Sequence, residues 1–154
     1  MKLKRMKFIF LIIILLGNVS AKIKGINQDE LLTTIVNSKP VLNFSHKEIP
    51  KNILKRYKEK YHTQLILSDP GSPYNTTDVI YKNEPFGMLL FSGLDKNNYG
   101  FILFEVKGVS SQCHFVFYKL KRKKVIEMEA LILNKQPKDF KDLQAILQSK
   151  NYIK

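Results

Sequence analysis

One stretch constrains the fold of this chain more than any other: residues 86–133, a succession of aromatic and branched residues broken only by turn-forming clusters. Such residues suit a pleated, half-buried surface, so 86–92, 99–107, 112–120 and 125–133 read as four strands. Between them, Gly-Leu-Asp-Lys-Asn-Asn at 93–98 and Gly-Val-Ser-Ser at 108–111 tolerate positive φ, and 121–124 forms a charged tip. Loops this short join antiparallel neighbours, which predicts a four-stranded meander.

Alternation of side chains carries the argument one step further, because a one-residue slip exchanges the two faces of a strand. If Leu94 faces Tyr99, Val106 faces Cys113 and Leu120 faces Val125, one face carries Leu89, Phe91, Ile102, Phe104, Val106, Cys113, Phe115, Phe117, Ile126, Met128, Ala130 and Ile132. That face has no charge and is the expected core. The other mixes Met88, Leu90, Phe101, Leu103, Val116, Tyr118 and Leu131 with Glu105, His114, Glu127 and Glu129. A mixed face is either covered by a helix or used for binding. Leu90, Phe101, Leu103, Val116 and Tyr118 are therefore candidate binding residues.

The remaining elements are arranged around this sheet. Asn27-Gln28-Asp29-Glu30 has the form of a capping box, and Leu31, Leu32, Ile35 and Val36 share a helical face before Pro40. Pro50 suits the first turn of a second helix running to Tyr61, with Ile53, Leu54, Tyr57 and Tyr61 on its apolar side and Lys51, Lys55, Lys58 and Lys60 on the other. Residues 63–68 read as a short strand, a candidate fifth at the sheet edge. Pro137 opens a last helix with Phe140, Leu143, Ile146 and Leu147 on one face. The expected fold is α+β: two N-terminal helices, a four- to five-stranded antiparallel meander, and a C-terminal helix packed on the sheet.

The first 21 residues read as an address. Lys2, Lys4, Arg5 and Lys7 precede an apolar run from Phe8 to Leu16 and a small-residue Val19-Ser20-Ala21 site, the pattern of a cleavable signal peptide. The apolar run is far short of the roughly 20 residues that span a bilayer. An exported protein, periplasmic or secreted, is expected, with residues 22–154 as one globular domain. Losing four basic residues takes the net charge from +13 to +9. The one cysteine, Cys113, leaves no internal disulfide, so packing must hold the domain.

Chemistry-bearing motifs are few. His46, His62 and His114 stand at no metal-ligand spacing, and there is no phosphate-binding glycine loop, so neither metal nor cofactor is expected. In the assumed register Glu105 faces His114, with Glu129 diagonal to His114 on the next strand, a carboxylate–imidazole pair able to move a proton or simply to form a cross-strand ion pair. Residues 69–85, with Asp69-Pro70-Gly71-Ser72-Pro73, form a connection longer than compact domains usually carry, which marks a candidate site region.

Basic residues gather on the second helix, at Lys121, Arg122, Lys123 and Lys124, and in the tail. They suit an acidic protein or an anionic envelope component, or they serve solubility alone. Nucleic acid is disfavoured, since only Arg56 and Arg122 remain as arginines beyond the signal. Three functions stay open: a non-enzymatic exported binding or interaction domain, a small hydrolase or isomerase using His114 with Glu105, and an inhibitor or immunity-type protein neutralising an acidic partner.

Overall fold

The computed structural model of the protein describes residues 28–77, 83–108 and 110–153. The signal segment with its cleavage site, the cap residue Asn27 and the Val79-Ile80-Tyr81 stretch lie outside the described residues. The chain is α+β, with three helices and a mostly antiparallel sheet of seven strands. In chain order these are α1 (Gln28–Val36), β1 (Val41–Asn43), a 3-10 turn (His46–Glu48), α2 (Lys51–Tyr61), β2 (Leu67–Ser68), β3 (Gly87–Leu94), β4 (Tyr99–Val106), β5 (Gln112–Lys121), β6 (Lys124–Leu133), α3 (Phe140–Gln148) and β7 (Tyr152–Ile153).

The count of four to five strands is thus too low, and the picture of two helices preceding every strand gives way to one in which β1 separates them. The strands the sequence did not show are β1 and β7, while β2 falls within the short edge strand expected at 63–68; all three are two or three residues long. Segments that short show no alternation to read. They exist because β3 and β6 offer unpaired edges to them: β1 lies antiparallel along Ser92 to Leu94, β2 lies parallel along Gly87 and Met88, and β7 pairs with Ile132 and Leu133.

The central register also differs from expectation. Glu105, not Val106, faces Cys113, and Leu94 faces Gly100. Two local features set the β3–β4 pairing. The Asp95 carboxylate accepts from the backbone N–H groups of Asn97 (2.9 Å) and Tyr99 (2.8 Å), and Asn98 takes φ 66°, which makes the β3–β4 turn one residue longer than expected, so that Leu94 meets Gly100. Along the same strand pair the register shifts between Leu89 and Phe91, so Leu90 is a bulge residue and the faces exchange there.

A slip of this kind goes unpunished because both faces are apolar and both are covered. On the first face Phe91, Phe101, Leu103, Phe115, Phe117, Leu131 and Leu133 pack under α1 and α3. Helix α1 supplies Leu31, Leu32, Ile35 and Val36, and α3 supplies Leu143, Ile146 and Leu147. The α3 N-terminus is fixed by Asp139, whose side chain accepts from the Asp142 N–H at 2.8 Å. On the second face Leu89, Ile102, Phe104, Val116, Tyr118 and Met128 pack under Ile53 of α2, with Ile49, Leu65 and Leu67 closing the layer. The sheet is the middle of three layers.

Candidate functional site

With both faces buried, the proposed binding face does not exist as one surface. Phe101 and Leu103 lie beneath α1 and α3, Val116 and Tyr118 beneath α2, all at 2% exposure or less. Leu90 is half-buried at the bulge. The register also separates Glu105 from His114. His114 faces Phe104 and stacks on its ring at 5.2 Å, and burial pushes its pKa below the ordinary value. Glu105 opposes Cys113 on the other face.

Glu105 instead ties loops together. Its carboxylate accepts from Tyr74 Oη at 3.0 Å and from Ser111 Oγ at 2.6 Å, with Lys107 Nζ at 3.7 Å. Burial, with the Glu105 charge beside it, pushes the Cys113 thiol up to about 12, so the sulfur stays protonated and inert.

The exposed tip is where the sequence placed it. Arg122 and Lys123 adopt positive φ (49° and 63°), which turns β5 back into β6. Asn52 of α2 donates to the Lys123 carbonyl. This contact ties the tip carrying Lys121, Arg122, Lys123 and Lys124 to α2, the helix that carries Lys51 and Lys55, across 71 residues of sequence.

Concavity appears elsewhere, at the start of the long connection. A cavity of about 480 Å³ lies between the α2 side and the extended segment 64–69, lined by apolar Ile49, Leu54, Leu65 and Leu67 and by polar His46, Gln64, Ser68, Asp69 and Ser72. Its polar end is built by two turns. Asp69-Pro70-Gly71-Ser72 is a β-turn closed by Ser72 N–H to Asp69 O at 3.0 Å, with Pro at its second position and Gly71 at φ 77°, where a side chain would be strained. Ser45 caps the facing 3-10 turn, its oxygen accepting from Lys47 N–H.

The two turns are clamped by one carboxylate. Asp69 Oδ1 accepts from the His46 backbone N–H at 2.6 Å and lies 2.9 Å from its ring Nδ1, while Ser45 Oγ donates to Oδ2 at 3.3 Å. The His46 N–H and then the side-chain donors hold the Asp69 carboxyl below the usual carboxylate range. With Nδ1 committed to Asp69, Nε2 is the ring nitrogen that can meet a ligand.

Sequence reasoning flagged the loop but not His46, which pairs across 23 residues and carries no spacing signal. Among the described residues no three His, Cys, Asp or Glu side chains converge as metal ligands. No protein-family profile, curated protein or solved structure matches the chain.

Proposed function

We propose that the chain is an exported, non-enzymatic binding domain, acting in the cell envelope or outside the cell, that takes its ligand in the cavity between α2 and residues 64–69. The observation that carries this reading is the cavity itself: about 480 Å³, with mostly apolar walls and a few polar groups, among them the His46–Asp69 pair. Ligand sites have that size and that division of labour. The His46–Asp69 clamp supports it further, because a ring fixed by one nitrogen presents the other in a constant direction. The basic, apolar and small-residue pattern at the N-terminus supports export.

The test is backbone amide shift mapping of the 15N-labelled full-length chain with a library of small fragments. Shifts gathered on His46, Leu54 and residues 64–69 are expected, and their loss in Leu54→Arg. Shifts confined to other regions would overturn the reading.

A second reading, an inhibitor or immunity-type protein for an acidic partner or an anionic envelope component, is favoured by the Asn52 contact that merges the basic tip with α2. It predicts binding that collapses between low and moderate salt and that Lys121→Glu with Lys123→Glu removes. The hydrolase or isomerase reading draws no support from the His114 and Glu105 positions, since they occupy opposite faces of the sheet.

A further inference from the structure

Strand edges present bare N–H and C=O groups, and natural sheets blunt them with prolines, charges or coverings. Most edges of this sheet follow that rule. The approach to β1 is Lys39-Pro40, and proline has no N–H to offer. The outer side of β6 carries Lys124, Glu127 and Glu129, and Lys60 reaches across to bond the Met128 carbonyl and, at 2.7 Å, Glu129 Oε1. At the far end β7 is two residues long and follows Lys150 in a left-handed conformation.

The segment leading through β2 is regular strand for only two residues, but it lacks the charges, prolines and coverings of the other edges. Gln64-Leu65-Ile66-Leu67-Ser68 contains no charge and no proline. Strand β2 pairs with β3 on one side only, and among the described residues no strand lies on the other. This undefended edge is also the one that borders the cavity. All five of its residues line the space, with Ile49 and Leu54 opposite them on the α2 side and Pro73 and Pro85 from the connecting loop.

A strand edge facing a helix across a groove selects a particular occupant. Backbone groups along the edge are satisfied by another backbone, and the apolar wall accepts alternate side chains. A small rigid ligand would leave the row of edge groups unanswered, at a cost for each one desolvated.

We propose that the ligand is an extended peptide segment with aliphatic side chains, which adds as a strand to residues 64–68 and seats those side chains on Ile49 and Leu54. This rests on the cavity being the binding site. Six extended residues reach about 20 Å, so the contact covers a short linear motif rather than a folded surface. At the Asp69 end, His46 Nε2 meets the peptide where the strand pairing stops.

The experiment is selection of random displayed heptapeptides on the immobilised full-length chain, followed by synthesis of each enriched peptide with single backbone N-methyl groups. Aliphatic peptides should be enriched, N-methylation at alternate positions should weaken them at least tenfold, and Leu54→Arg should abolish capture. Because that variant replaces a half-buried side chain, Ser72→Trp on the exposed loop wall serves as a second block of the same groove.

Peptides indifferent to N-methylation at every position, or to both groove variants, would overturn the proposal. So would enrichment of none. If no peptide is enriched while small fragments still shift the amides of residues 64–69, the cavity reading stands and the peptide falls. If neither binds, both fall.

Discussion

The two covered faces of the sheet are built differently. Under α1 and α3 the packing is aromatic and continuous: Phe101 sits edge-on to Phe91 (5.9 Å) and stacks with Phe140 (5.4 Å), and Phe115 stacks with Phe117 (5.3 Å). Under α2 the layer is mainly aliphatic, includes the hydroxyl of Tyr118 and the ring of His114, and opens at its β2 end into the cavity. One helix covers what two cover on the opposite side. The difference teaches that a single sheet can place most of its cohesion on one side and leave a usable concavity on the other, without exposing either face.

The comparison is broken most forcefully on the aromatic side. Phe115 is fully buried, and Phe115→Ala should cost about 3–5 kcal/mol in chemical denaturation. Ligand binding at the cavity should survive wherever the variant remains folded. A loss below about 1 kcal/mol would mean that this face is not the main source of stability.

A smaller effect sits where β4 meets Tyr118. A Cβ at Gly100 would lie 2.5 Å from the Tyr118 ring, so Gly100→Ala should cost about 1–3 kcal/mol by overpacking. The smaller side chain of Tyr118→Leu should recover part of that loss in the double variant. Additive effects would show that the ring is not what Gly100 accommodates.

The α2 side should also be the acid-sensitive one. Burial lowers the His114 pKa, so the folded protein refuses a proton that the unfolded chain accepts. Stability is therefore unaffected well above the unfolded histidine value, about 6.5, and declines as pH falls through it until the folded ring itself titrates. Urea midpoints between pH 7.5 and 5 should fall more steeply for the wild type than for His114→Phe. Equal slopes would contradict the burial of this ring.

The least effect on stability is expected at the cavity wall. Leu54→Arg should cost about 1 kcal/mol or less because the residue is half-buried, and yet remove ligand binding. Thermal melts and fragment shift mapping on the same sample separate the two outcomes.

These contrasts also mark how far the sequence could be read. The four long strands and α2 lie within a residue or two of their sequence-derived bounds, because aromatic and branched runs in 86–133 are separated by turn clusters and α2 has a clear apolar stripe. Register was legible only at the β5–β6 tip, where Leu120 faces Val125 as expected. Where both faces are apolar, sliding Val106 opposite Cys113 exposes no charge, so composition cannot reject it. The bulge at Leu90 and the Asp95 turn, which set the β3–β4 pairing, are local hydrogen-bond events of the same illegible kind.

The site was half legible. Asp69-Pro70-Gly71-Ser72 announces a turn, and the length of the connection suggested function. Nothing in the chain says that His46 lies against Asp69, or that residues 64–68 form an edge beside α2. Those facts depend on β1 and β2 sharing the outer side of β3, one antiparallel and the other parallel.

The most direct measurement is native-state hydrogen exchange, read amide by amide, on the protein without ligand. The account predicts that within residues 64–68 the amides turned away from β3 exchange orders of magnitude faster than those of β4 and β5, which are paired on both sides. Uniform protection across residues 64–68, equal to that of β4 and β5, would show a closed edge and contradict the binding groove.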